Sequence, residues 1–221
     1  MKTTQEQIDS MIRLYTIEKC NTYDIGNKLN LSATTVQSYL KKVGIQPSHQ
    51  KYKFNEHYFN KIDTPNKAYF LGLIYADGCV FPKKNSCVIK LTKEDGYILE
   101  EFKKEVDSQK PLHYTKSKPI TGTQYIGKAQ SKLELNSKIL IQDLISLGVV
   151  QNKSLILKFP QNMPFIKDFI RGYFDGDGCI YNSQNRIMLN FVGSEEFCKG
   201  LSNFLESELN IPTTPKQDNR G

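Results

Sequence analysis

Three short stretches at the start of the chain carry apolar residues every third or fourth position. Ile8, Met11, Ile12 and Tyr15 stripe one face of residues 5–18, Ile25 and Leu29 one face of 22–29, and Val36, Tyr39 and Leu40 one face of 33–42. A one-sided stripe with helical period predicts three short helices around a small shared core. Thr22 and Ser32 read as the N-caps of the second and third helices, because a hydroxyl there satisfies a main-chain N–H of the first turn. Asn30 tolerates the left-handed backbone that turns the chain sharply out of the second helix, Leu31 plugs the space between the two helices, and small Gly26 lies where they approach. The pattern is then lost over residues 47–63, which read as a linker packing partly through Phe54, Tyr58 and Phe59.

The next periodic segments form a repeat. AYFLGLIYADGCV at 68–80 and DFIRGYFDGDGCI at 168–180 share Gly72/Gly172, Asp77/Asp177, Gly78/Gly178 and Cys79/Cys179 at a constant offset of 100 residues. Pro65 behind Thr64, and Pro164 behind Met163, suit the first turn of a helix, and Gly78 and Gly178 end it. After the first copy the alternation predicts two strands within 78–92, a helix over 95–107, strands over 112–116 and 124–135, and a helix over 137–147 closed by Gly148. The second copy is followed by strands at 179–182 and 186–192 and a helix at 195–209. The chain then ends 43 residues after Gly178, so a second strand pair and closing helix are expected to be missing, as in a truncated gene, leaving an exposed sheet edge.

Composition narrows the class. The chain is 38% hydrophobic and 11% aromatic, and has no run of the roughly 20 apolar residues that a membrane helix needs. The N-terminus MKTTQEQIDSMIRLY lacks an apolar signal segment, and the five cysteines have no paired or zinc-like spacing. A cytoplasmic protein with reduced thiols and no membrane partner is the expectation. The net charge of +7 favours a polyanionic partner, with Lys51 and Lys53 of the linker placed to follow a phosphate backbone.

Within each repeat small residues stand four apart, Gly72/Ala76 and Gly172/Gly176, so one face of each helix is bare enough for another helix to approach closely. Parallel packing of the two would bring Asp77 and Asp177 together at their C-terminal ends. Two carboxylates there repel each other and sit at the negative ends of both helix dipoles. A hard divalent cation compensates, with Asp77 and Asp177 and the main-chain carbonyls of Ala76 and Gly176 as ligands and Mg²⁺ as the ion suited to phosphodiester chemistry.

These residues carry two resemblances. Residues 5–45 resemble the helix-turn-helix of resolvase-like and homeodomain-like DNA-binding proteins, which implies that the third helix lies in the major groove with Thr34, Thr35, Gln37, Ser38 and Lys41 facing DNA. From about residue 54 onward the chain resembles a single-chain LAGLIDADG homing endonuclease, on the strength of FLGLIYADG (70–78) and IRGYFDGDG (170–178) with their flanking IDTPNKAYFLG and LGVVQNKSLILKFP. The resemblance implies an α+β fold of two αββαββα halves related by a pseudo-twofold axis, with sheets forming a saddle over double-stranded DNA. The domains follow as 1–46 (helix-turn-helix), 47–63 (linker), 64–160 (first half) and 161–221 (second half, incomplete), in a monomer.

The same resemblance implies that Asp77 and Asp177 are the essential metal-binding acids. Lys90, its repeat counterpart Asn190, and Lys153 are the candidates that organise the attacking water and neutralise the phosphate. Lys116, Lys118, Gln124, Lys128 and Arg186 are candidate DNA contacts from the strands. The function so implied is metal-dependent, site-specific double-strand DNA cleavage. A non-cleaving DNA-binding regulator and an intron RNA maturase are the alternatives.

Overall fold

The computed structural model describes residues 3–18, 20–47, 52–119, 121–122, 124–213 and 215–217. It divides into two compact units, Met1–Phe54 and Asn55–Gly221. Lys51, a candidate for backbone tracking, lies outside the described residues.

The first unit consists of α1 (Gln5–Thr16), α2 (Thr22–Leu29) and α3 (Ala33–Lys42) around a core of Met11, Leu14, Ile25, Val36 and Leu40. Ser32 caps α3 by accepting from the main-chain N–H of Thr35, as its position predicts. The cap of α2 is Asn21, not Thr22: the Asn21 carboxamide accepts from the N–H groups of Tyr23 and Asp24. Thr22 is instead fully buried against α3, where its hydroxyl accepts from Gln37 Nε2 at 3.3 Å. Asn30 adopts the left-handed conformation at φ 53°.

Gly26 marks the close approach of α2 to the following turn, since a Cβ there would lie 2.6 Å from the Leu31 carbonyl oxygen. Main chain cannot move aside as a flexible side chain would. Gly26→Ala is therefore expected to destabilise this unit by about 1–3 kcal/mol. Amide hydrogen exchange over 22–42 should accelerate by about tenfold or more, and unchanged exchange would refute the close-packing account.

In the second unit, α4 (Pro65–Asp77) leads into β1 (Gly78–Phe81) and β2 (Ser86–Thr92), joined by a 3₁₀ turn at Pro82–Lys84. Then come α5 (Gly96–Glu105), β3 (His113–Thr115), β4 (Lys118–Pro119), β5 (Ile126–Gly127), β6 (Gln130–Asn136) and α6 (Lys138–Ser146). The main sheet is antiparallel with order β1-β2-β6-β3. Alternation along β6 buries Ser131, Leu133 and Leu135 on the helix-covered face and turns Gln130, Lys132, Glu134 and Asn136 to the other. The stretch 124–135, expected as one strand, divides: β5 pairs with β4 in a small separate ribbon, and only Gln130 onward joins the sheet.

Residues 55–63 are not linker. Tyr58, Phe59 and Ile62 are buried, and Tyr58 and Phe59 join Phe70 and Phe102 in an aromatic cluster with ring centroids 4.8–6.1 Å apart. Such a cluster stabilises both by area removed from water and by edge-to-face geometry.

The chain continues through α7 (Ile166–Asp177), β7 (Gly178–Ser183), β8 (Arg186–Phe191) and α8 (Glu195–Leu209). Pro164 stands outside α7, which begins after Phe165 at φ 55°. The two repeat helices also differ in what surrounds them. Ala68, Leu71 and Tyr75 of α4 are buried, whereas α7 carries Asp168, Arg171 and Asp175 at the same positions, with Arg171 and Asp168 paired at 3.4 Å.

The hairpins differ as well. Gln184 and Asn185, both at positive φ, make a two-residue turn of the type favoured between twisted strands. Among the described residues β8 pairs only with β7, and its apolar Ile187 and Leu189 are 80% and 62% exposed. By contrast Cys87 and Ile89 of β2, which is paired on both sides, are 3% and 2% exposed. Among the described residues the apolar side chains of β8 thus lie on an uncovered face of a two-stranded ribbon. No helix among the described residues is long and apolar enough to cross a membrane, and all five cysteines are free thiols.

Candidate active site

The site is built by the contact of α4 with α7. Each central glycine lies against the main chain of the opposite helix: a Cβ on Gly72 would fall 2.0 Å from the Phe169 carbonyl oxygen, and one on Gly172 would fall 1.9 Å from that of Tyr69. One turn on, a Cβ on Gly176 would meet Ala76 Cβ at 2.4 Å and Asp77 Oδ2 at 2.9 Å. The helices therefore run parallel and in register, and the two aspartates emerge side by side at their C-terminal ends. Gly78 and Gly178 then start β1 and β7 directly, so the acids stand where both helices give way to sheet.

Burial raises the Asp77 carboxyl to about 6, helped by the neighbouring Asp177 charge and by Asp95, and opposed by Lys153. Burial likewise raises Asp177, against the pull of Lys153 and of a hydrogen bond from Tyr173. Lys153 sits on a 3₁₀ turn, Lys153–Leu155, beyond α6. Its Nζ donates to the Ala76 carbonyl. Burial lowers the Lys153 pKa, while Asp177 and Asp77 partly restore it. The centre is thus a partly desolvated pair of acids with one ammonium in their field.

The donor chemistry fits a hard divalent cation. Two carboxylates and adjoining main-chain carbonyls offer oxygen only, and among the described residues no cluster of three His, Cys, Asp or Glu side chains competes as a softer site. Asp77, Asp177 and the carbonyls of Ala76 and Gly176 are the groups that could hold such an ion.

The titration of the acids has a direct consequence for ion binding, because carboxylates bind a divalent cation in the ionised form. Below pH 6 the cation must displace a proton from Asp77, so Ca²⁺ affinity is expected to rise by about tenfold per pH unit up to that value and to level off above it. Calorimetric titration at pH 5, 6 and 7.5 would measure this, and a flat profile would contradict the assignment.

Of the candidates with expected catalytic roles, the structure brings together Asp77, Asp177 and Lys153. Lys90 and Asn190 are both exposed on strands, Lys90 between the buried Ile89 and Leu91 of β2 and Asn190 on β8, none of whose residues is buried. They are not counterparts. Lys90 of β2 lies one pair beyond Ile89, which faces Gly78, whereas Asn190 faces Cys179, the position that Val88 takes opposite Cys79. The tighter second turn shifts the register by two residues, which keeps the face but moves the side chain two pairs along. In the second hairpin it is Val192 that meets the aspartate, donating its N–H to the Asp177 carbonyl at 3.0 Å.

The open face of the main sheet also presents His113 and Lys132 opposite each other, with Lys90 across from Lys132 on the other side. Lys116, Lys118, Gln124 and Lys128 are exposed around the β4–β5 ribbon, and Arg186 is exposed at the start of β8. On α3, Thr34, Ser38 and Lys41 are exposed, while Thr35 is half-buried beside Ser32 and Gln37 is tied to Thr22. Tyr173 had no signal in the sequence beyond its place in the repeat. It stacks on Phe197 at 4.0 Å and donates to the Val192 carbonyl at 2.8 Å, which fixes it beside Asp177.

Two parallel helices ending in paired acids are the feature against which known proteins can be compared. Residues 164–221 match the LAGLIDADG-like domain. This segment contains α7, the β7–β8 hairpin and α8, hence Asp177 and its immediate support. The chain is also similar to a protein named probable translation initiation factor IF-2 from Methanocaldococcus jannaschii, at 26% identity in an alignment of 172 positions that covers 74% of the chain. The chain spans 14% of the length of that protein.

Proposed function

We propose that this protein is a site-specific endonuclease that cuts both strands of a DNA target with the aid of a divalent cation, Mg²⁺ being the natural choice. The observation that carries this reading is the convergence of Asp77 and Asp177 at the ends of two helices packed glycine to main chain. The LAGLIDADG-like match over residues 164–221 supports it from an independent direction.

In this reading the carboxylates of Asp77 and Asp177, with the Ala76 and Gly176 carbonyls, hold the cation. Bound there, the cation would polarise the phosphodiester, lower the pKa of a water and neutralise the leaving oxygen. The close packing of α4 on α7 keeps the acids at fixed separation, and Tyr173, held by its bond to the Val192 carbonyl, packs beside Asp177. The open sheet face, with Lys90, Lys132 and His113, and the lysines around the β4–β5 ribbon meet the sugar-phosphate backbone. The three-helix unit adds contacts through the exposed face of α3, so that a monomer reads a long target.

The test is incubation of the protein with DNA carrying the insertion site of its own gene, in Mg²⁺ and in EDTA. Cleavage of both strands in Mg²⁺ alone is the expected result. Tight binding of that DNA without cutting would replace this reading with a non-cleaving regulator. Preference for the corresponding intron RNA would replace it with a maturase.

A further inference from the structure

Lys153 is a cation that reaches the centre from outside the repeat, and its partner is unusual for a half-buried ammonium. Among the described residues it makes no direct ion pair with Asp77 or Asp177, yet its Nζ donates to the carbonyl of Ala76, the residue next to Asp77. That carbonyl belongs to the donor set that would hold a divalent cation. The acids meanwhile stand side by side at the negative ends of two closely packed helices, where in their ionised form they need positive charge.

We propose that Lys153 is a tethered counter-cation of the two-carboxylate centre, which holds the Ala76 carbonyl, competes with the divalent ion for it and so sets the affinity for that ion. This inference rests on the metal-binding reading given above. The competition is both steric and electrostatic: one carbonyl oxygen cannot donate to an inner-sphere cation while accepting from an ammonium without bringing the two positive charges within a few ångströms of each other. The tether has a structural basis, since Asn152 at φ 57° turns the chain into the short 3₁₀ segment that delivers the lysine. Lys153 is accordingly a positioning residue for the acids, whose removal should strengthen ion binding instead of weakening it.

The experiment is calorimetric titration of the full chain with Ca²⁺, which reads binding without turnover, at pH 7.5 for the wild type, Lys153→Met and Lys153→Arg. Lys153→Met is expected to bind Ca²⁺ at least tenfold more tightly than wild type, whereas Lys153→Arg, which keeps the charge, stays within about threefold of it. In EDTA the Lys153→Met protein should melt at a lower temperature than wild type and recover that loss when Ca²⁺ is added. If Lys153→Met is unfolded in EDTA, the shorter, uncharged but polar Lys153→Gln variant takes its place in the same comparison.

Equal or weaker Ca²⁺ binding by the uncharged variant, with the wild type binding normally, would overturn the counter-cation role and leave the metal reading intact. Absence of Ca²⁺ binding in every protein would remove the metal reading and this inference with it.

Discussion

Replacing Asp77 or Asp177 by asparagine is expected to slow DNA cleavage by at least about 10³-fold while leaving DNA affinity within about threefold of wild type. The carboxamide keeps the shape of the side chain and the packing of α4 on α7, but it cannot supply the anionic oxygen that holds a divalent cation. In the proposed reading DNA is held by the open sheet face and by α3 and not by these two carboxylates, so binding should survive. Single-turnover cleavage beside a gel-shift titration would separate the two effects, and wild-type cutting by either variant would remove the acids from the mechanism.

The same substitution should stabilise the cation-free protein, and the sign follows from the raised carboxyl of Asp77. A folded-state pKa of about 6, against an ordinary value of 3.8, means that the folded protein retains a proton that the unfolded chain has lost between those pH values. Ionised Asp77 therefore lowers stability by an amount that is absent below about pH 4 and complete above about pH 6. Discounted for its partial exposure, the cost is on the order of 1 kcal/mol. Asp77→Asn should thus melt higher than wild type at pH 7.5 in EDTA, with the gain shrinking towards pH 4.

The second large effect is expected at Gly172. An alanine Cβ there would sit 1.9 Å from the Tyr69 carbonyl oxygen, 2.8 Å from its carbonyl carbon and 3.1 Å from the Leu73 nitrogen, all of them main-chain atoms of α4. A flexible side chain could swing away, but a helix backbone yields only if the two helices separate. Separation would open the contact that aligns Asp77 with Asp177 and would loosen the aromatic residues packed beside it, including Tyr75 against Phe169 at 4.9 Å.

Overpacking of this kind costs about 3 kcal/mol or more, which for a unit of this size lowers the melting temperature by about 10 °C. Calorimetric unfolding of Gly172→Ala and of Gly72→Ala would measure it, and the two should behave alike because the contact is reciprocal. A loss below about 1 kcal/mol in both would show that the helices are not held by main-chain approach.

Much of this centre was legible in the chain. The repeat around Asp77 and Asp177, the small residues four apart and the glycines that end each helix are local signals, and helix packing at a bare face follows from local geometry. The first strand pair, β1 and β2, and the span of α8 were likewise readable from the residue pattern. Register was not. Both hairpins place the same number of residues between the glycine that starts the first strand and the start of the second, so counting pairs Lys90 with Asn190. The backbone conformation of Gln184 and Asn185 shifts the second hairpin by two residues and leaves Val192 at the aspartate instead.

Tertiary contact also moved the cap of α2 from the expected Thr22 to Asn21, because Thr22 is buried against α3. It turned residues 55–63 from an aperiodic stretch into part of the core, since Tyr58 and Phe59 find Phe102 more than forty positions away. It brought Lys153 to Ala76 across 77 positions of sequence, although the residue had been singled out only by resemblance. By itself, then, the sequence determined two acid-ended helices with a bare face, because period, caps and small residues act within a few turns of chain. The charge around those acids, and the register of the strands beside them, were decided only by the tertiary structure, because both depend on groups that are remote in sequence and on dihedral angles that composition does not specify.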